Sequence, residues 1–260
     1  TILFSGGLDS AIMKRYAELK YPDATIDLLY VDLGHDYAYK ELATLPESTE
    51  IINFNLPSAK NPQGKGGSNS GNIIIPGRNL LLAIIAACIK MPDEIWMGAL
   101  MGEIHDGSTD KNIPFRDKLN EVLSYVFSPF EKRPKLVFPF VDDNMGKLEI
   151  TKWALHNGFT PNQLMITSSC LSGESGRCGV CVVCARRWGI FKQLGFEETY
   201  NTHPVFSKNA PVDMYIEMMK GELGKYCHYD KFRRDEIVPA LRLLYDNKPD
   251  EEILEKLCKL

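Results

Sequence analysis

Two groups of residues in this chain have the types and spacing to do chemistry. The first is Ser5-Gly6-Gly7-Leu8-Asp9-Ser10, placed between an apolar opening and a stretch with helical spacing. Two glycines let backbone approach an anion closely, and the serines add hydroxyl donors. The amides of a following helix turn their partial positive charge toward whatever binds there. These residues describe a phosphate cradle. It lacks the lysine of the common Gly-Lys-Ser/Thr loop, which disfavours phosphoryl transfer of the kinase type. The competing reading is a glycine-rich turn with no ligand.

The second group is Cys170, Cys178, Cys181 and Cys184, spaced Cys-x7-Cys-x2-Cys-x2-Cys. Cysteines two residues apart can face one ion across a tight turn, Gly179 eases that turn, and a fourth thiolate from upstream completes a tetrahedron. Zinc suits the set, with an iron-sulfur cluster as the competing reading. Four thiolates leave no open coordination position, so such a site is structural and fixes the loop from Ser168 to Arg187. Cys88 is expected to be a small core residue on an apolar helix, and Cys227 and Cys258 to be unpaired.

The elements that must position these groups alternate strand and helix, the pattern of a parallel sheet covered on both faces. Strands are expected at 1–4, 26–31, 50–54 and 94–99, with a short apolar segment at 136–140. Helices are expected at 10–19, 37–45, 114–125 and 146–156, and at 80–89, where the sequence is apolar nearly all round and reads as buried. A Gly, Ser and Asn-rich loop fills 61–72. From Asn201 the alternation stops and helices at 212–220, 234–245 and 250–260 read as a C-terminal extension. The expected division is 1–165, an ATP-binding domain; 166–200, a zinc knuckle with its helix; and 201–260, the extension.

Composition bounds the function. At 260 residues and 44% hydrophobic, the chain can bury a core without disulfides. A net charge of -4 argues against a protein whose main task is gripping a phosphate backbone, and favours a small-molecule substrate. No apolar run approaches the roughly 18 residues of a membrane span. The opening runs straight into the glycine motif with no signal peptide, so a cytoplasmic protein is expected. Four cysteines crowded together in a reducing compartment read as metal ligands.

The cradle resembles the pyrophosphate loop of the ATP pyrophosphatase (PP-loop) superfamily, whose members leave AMP on a carboxyl or carbonyl oxygen. Three further motifs narrow the likeness. They are Pro76-Gly77-Arg78-Asn79, Pro139 followed by Lys147-Leu148-Glu149-Ile150, and Thr167-Ser168-Ser169-Cys170 through Cys178-Gly179-Val180-Cys181-Val182-Val183-Cys184-Ala185-Arg186-Arg187. With them the chain resembles the QueC family, the 7-cyano-7-deazaguanine synthases, over about residues 1–200. The resemblance implies an α/β fold with a Rossmann-like parallel sheet of the adenine nucleotide alpha hydrolase kind, a four-cysteine zinc knuckle and, here, a helical extension.

It also implies conversion of a carboxylate on a deazaguanine base to a nitrile, with two ATP and ammonia and without a redox cofactor. Ser5 to Ser10 and Asn79 would hold the nucleotide, Asp9 would help bind Mg2+, and Arg78 and Lys147 would neutralise charge on the phosphates. Asp106 and Ser108 would contact the base. Where the family carries Tyr-Pro-Asp-Cys after Asp-x-Ser, this chain has Asp106-Gly107-Ser108-Thr109-Asp110-Lys111-Asn112-Ile113-Pro114-Phe115-Arg116, which leaves the identity of the acid open. Asp110 is expected to cap a helix or sit in solvent. Family members tend to be homodimers, and the extension, with Tyr215, Tyr226, Tyr229 and Phe232 among Lys225, Lys231, Arg233 and Arg234, could meet a protein partner or form a helical core. Two other enzymes fit the superfamily: a ligase joining a deazaguanine acid to a protein amine in antiphage defence, and a tRNA thiolase or ligase. A nucleotide sensor without turnover is the non-enzymatic alternative.

Overall fold

A computed structural model describes residues 1–60, 75, 77–104, 109–221 and 231–260. The described residues form two compact units, those of 1–168 and those of 169–260. Among them no helix is long and apolar enough to cross a membrane.

The first unit is built on five parallel strands: β1 (Ile2–Leu3), β2 (Leu28–Asp32), β3 (Thr49–Asn53), β4 (Glu94–Trp96) and β5 (Lys135–Val137). Their order is β3-β2-β1-β4-β5, with Ile2 opposite Leu28 on one side and Trp96 on the other. The expected Rossmann-like α/β sheet is therefore present. β2 is apolar and buried along nearly its whole length, as a strand covered on both faces must be. In chain order the helices are α1 (Leu8–Lys20), α2 (Ala38–Leu42), α3 (Pro57–Lys60), α4 (Arg78–Lys90), α5 (Ile113–Val126), α6 (Pro139–Asp142), α7 (Lys147–His156) and α8 (Pro161–Met165). α1 starts two residues earlier than its apolar spacing suggests, which puts Leu8 and Asp9 in the first turn. There Asp9 complements the helix dipole and Leu8 anchors the turn in the core.

Two expectations need correction. α4 is not buried all round, and Cys88 is exposed. The helix sets its small residues Ala83, Ala86 and Ala87 inward, while Leu80 and Ile89 stay 45% and 47% exposed. Composition alone could not reveal this, because alanine and isoleucine read alike as apolar although the alanines permit the closer packing. Asp110 lies in the partly exposed loop before α5, one of the two places expected for it, and its carbonyl accepts from Asn79 Nδ2 at 3.1 Å. The cap of α5 is Asn112, its side chain accepting from the Phe115 N–H at 2.9 Å. α8 has no counterpart among the expected helices, although Thr160-Pro161-Asn162-Gln163 is a capping box with proline at the first helical position.

The second unit contains α9 (Val182–Gln193), α10 (Val212–Lys220), α11 (Lys231–Leu244) and α12 (Asp250–Leu257). One core joins them: Ala185 and Trp188 of α9, Met214, Tyr215 and Met218 of α10, Ile237 and Leu241 of α11, Ile253 and Leu257 of α12. Tyr215 and Arg233 are buried, in line with the helical core that is one reading of the extension. Tyr215 donates its hydroxyl to the Pro204 carbonyl at 2.9 Å, and Arg233 sits 3.4 Å from the fully buried Glu236. Arg186 of α9 pairs with Glu236 as well, Nη2 to Oε1 at 2.9 Å. α9 crosses α11 so closely that a Cβ on Gly189 would lie 2.3 Å from the Glu236 carbonyl. Pro239 inside α11 removes the N–H that would bond the Asp235 carbonyl, and Gln193 Nε2 supplies a donor to that carbonyl at 2.9 Å. Lys225, Tyr226, Cys227 and Tyr229 lie outside the described residues.

Candidate functional site

In a sheet of order 3-2-1-4-5, β1 and β4 flank the point where the winding reverses, and ligands of such sheets sit beyond the carboxyl ends of the strands there. The cradle follows β1 at that point. Gly6 has φ +69° and a Cβ on it would fall 2.2 Å from Thr44 Oγ1, so only glycine fits. The turn is held by the Thr44 hydroxyl donating to the Gly6 carbonyl at 3.2 Å and by the Ser168 N–H donating to the same carbonyl at 2.9 Å. Gly7 starts α1 with no side-chain cap. The first amides of the helix and its dipole are then available to an anion.

Ser5, Asp9, Ser10, Arg78, Asn79 and Gly98 line one cavity of about 220 Å³. Lys147, buried at the start of α7, sets Nζ 3.1 Å from Asp9 Oδ2. A buried ammonium needs a partner, and Asp9 is that partner, itself 24% exposed toward solvent. Asp9, Lys147, Arg78 and Asn79, four residues from three helices, are thereby gathered about the cradle. Asp106 and Ser108 lie outside the described residues. A larger cavity, about 550 Å³, has Thr1, Asp27, Asp93, Glu94 and Lys132 in its wall and none of the cradle residues.

The sequence reading missed a polar group in the smaller cavity: Tyr30, His35, Tyr37 and Glu41. Gly34, at φ +78°, donates its N–H to Asp32 Oδ1 at 2.8 Å and turns the chain after β2. His35 Nε2 then lies 3.0 Å from Glu41 Oε2, which also accepts the Tyr30 hydroxyl at 2.9 Å. Burial, and next the Glu41 charge, raise Tyr30 far above the ordinary phenol range, so it stays a donor. Burial also raises Tyr37, while the Arg78 charge opposes the shift. The available signal was positional: these residues follow the carboxyl end of the strand beside β1.

In the second unit the Sγ atoms of Cys170, Cys178, Cys181 and Cys184 all lie within 4.8 Å of one another and are buried. A zinc ion with bonds of roughly 2.3 Å holds tetrahedral sulfurs about 3.8 Å apart, and Cys178 and Cys184 are 3.9 Å apart. The set fits one ion such as zinc. Backbone N–H groups of Ser172 and Cys178 point at Cys170 Sγ, and those of Cys181 and Cys184 at Cys178 Sγ and Cys181 Sγ, at 3.3–3.4 Å. Such donors stabilise thiolate charge, and hydrogen bonds from Cys178 and then Cys181 hold Cys170 far below the usual thiol range. Gly179, φ +82°, makes the expected turn; a Cβ there would lie 1.8 Å from the Thr202 carbonyl. Arg187, fully buried, donates to Glu198 at 2.9 Å and to Ser169 Oγ at 3.0 Å, bracing the chain beside Cys170.

The model of the family described as Queuosine biosynthesis protein QueC matches residues 52–195, more than half of the chain. The chain belongs to the QueC family. Similar proteins include the 7-cyano-7-deazaguanine synthases of Chlorobaculum parvum, 26% identical over 220 residues, and of Pyrococcus furiosus, 28% identical over 240. These alignments cover 76% of this QueC-family chain and 93% and 94% of the two relatives. The match of the QueC model takes in Arg78, Lys147 and all four clustered cysteines, and the cradle at 5–10 precedes it.

Proposed function

We propose that this QueC-family chain is a carbon-nitrogen ligase that adenylates the carboxylate of 7-carboxy-7-deazaguanine and carries it through the amide to 7-cyano-7-deazaguanine. The observation that supports this most is the buried Lys147–Asp9 pair beside a glycine cradle at the reversal of the sheet. A carboxylate repels nucleophiles and has no good leaving group. One of its oxygens attacks the α-phosphorus of ATP, and pyrophosphate leaves. Ammonia then attacks the carbonyl carbon, and AMP departs with that oxygen, giving the amide. The amide oxygen attacks a second ATP, and the second AMP leaves as the nitrogen sheds its two protons. No electrons are exchanged.

In these steps Ser5, Gly6, Gly7, Leu8 and Ser10 hold the departing pyrophosphate with backbone and hydroxyl donors, and Asn79 orients the nucleotide. Arg78 and Lys147 balance charge that builds at the α-phosphorus, where such preorganised groups act most strongly. Asp9 is the carboxylate suited to hold Mg2+, which when bound supplies neutralisation of the phosphates. Asp106 and Ser108 are assigned to the base by the family resemblance. The four cysteines hold structural zinc.

The test is incubation of the pure protein with ATP, Mg2+, 7-carboxy-7-deazaguanine and ammonia, followed by mass spectrometry, with Asp9→Ala as control. AMP and nitrile are expected from the native chain and neither from the variant. AMP with an amide-linked base and no nitrile would replace this reading with an acyl-transfer ligase, and absence of AMP would remove the assigned substrate.

A further inference from the structure

The His35 side chain is more than nine-tenths buried, yet its Nδ1 has no hydrogen-bond partner. Buried polar atoms are nearly always paired, so an orphan in a cavity wall points to a group that arrives from outside. The rest of the ring is firmly held. Nε2 faces Glu41 at 3.0 Å, the ring lies 4.0 Å from that of Tyr37, and Glu41 is itself fixed by the Tyr30 hydroxyl. A carboxylate only accepts, so Nε2 carries the proton toward Glu41 and, in the neutral ring, Nδ1 presents a lone pair. The anchored tautomer makes His35 an acceptor.

The same cavity has two further kinds of wall. Ser5, Asp9 and Ser10 supply the phosphate end, and Leu33, Leu82, Met97 and Gly98 supply apolar surface suited to a flat ring. A nucleotide held by its phosphates at the cradle must place its nucleoside in what remains, and its base would meet an acceptor there. Adenine carries an amino donor where hypoxanthine and guanine carry a carbonyl acceptor. Resting on the ATP reading above, we infer that His35 reads the base of the bound nucleotide, Nδ1 accepting a hydrogen bond from the adenine amino group. Glu41 and Tyr30 are positioning residues that fix the ring and its tautomer. A carbonyl in place of the amino group would set two acceptors against each other, the arrangement that gives a polar pocket its discrimination.

The experiment is calorimetric binding of ATP, ITP and dATP, with Mg2+, to the full chain in its native, H35A and H35N forms. The native protein should prefer ATP over ITP by about tenfold, the scale of one hydrogen bond in a closed site. H35A should bring that ratio close to one with little change in ATP against dATP. H35N, whose amide oxygen can take the place of Nδ1, should keep most of the preference. Should H35A not fold, H35F carries the same expectation, because it keeps a ring against Tyr37 without the acceptor. An unchanged ATP/ITP ratio in a folded H35A or H35F overturns the inference and leaves the ATP reading standing. Loss of discrimination against dATP instead would move the contact to the ribose and overturn base reading. Failure of the native chain to bind any of the three removes both.

Discussion

The cavity wall around the cradle and the cysteine knuckle are both rich in buried polar groups, and they treat them oppositely. In the knuckle unit, Glu236 is met by Arg186 and Arg233, Glu198 by Arg187 and Tyr200, and the thiols by one another and, at Cys170, Cys178 and Cys181, by backbone N–H groups. Around the cradle, Nδ1 of His35 is left over and α1 begins without a side-chain cap. Groups that close on one another rigidify, whereas groups left facing a cavity are set for a ligand. On the function proposed above, the first region is the receptor and the second a brace.

The comparison breaks most sharply on metal removal. Structural zinc contributes on the order of 10 kcal/mol to small sites of this kind. Stripping it with a chelator, or replacing Cys181 with serine, should unfold residues 169–260 as followed by helical circular dichroism, with about one zinc per chain lost in parallel by elemental analysis. Because four thiols must shed protons to bind, zinc affinity should fall as pH falls. A fully helical, metal-free protein would contradict the brace. Glu236→Ala comes next. It leaves two buried guanidinium groups without their carboxylate, so stability to urea should drop by about 3–5 kcal/mol.

On the receptor side, Asp9→Ala should lower AMP formation on the order of a hundredfold, by analogy with removal of one preorganised electrostatic group. It should also lower the melting temperature, because it leaves the buried Lys147 ammonium without its carboxylate. A variant that melts early and turns over normally would reverse the assignment. The smallest effect belongs to the exposed Arg242–Asp250 pair, 2.8 Å apart. Arg242→Ala should change stability by less than about 1 kcal/mol in the same urea titration.

Much of this was legible in the sequence where a local rule sufficed. The strand alternation gave the sheet, Cys-x2-Cys-x2-Cys gave the metal set, and the glycine pair gave the cradle turn. What the sequence hid was set by packing between distant segments. Cys88 sits in an apolar run, but the alanines of α4 took the inner face. For Tyr215 and Arg233 the sequence left surface contact and helical core both open, because their partners, the Pro204 carbonyl and Glu236, depend on how α10 and α11 fold back. His35 carries no motif of its own, and only the order of the strands brings it to the cavity that Asp9 and Ser10 line.

The most direct test of the adenylation claim follows oxygen. With both carboxylate oxygens of 7-carboxy-7-deazaguanine labelled with 18O, the account predicts that each AMP released carries one labelled oxygen, because each departs with an oxygen drawn from the acid. AMP carrying only solvent oxygen, or label appearing in inorganic phosphate, would contradict it.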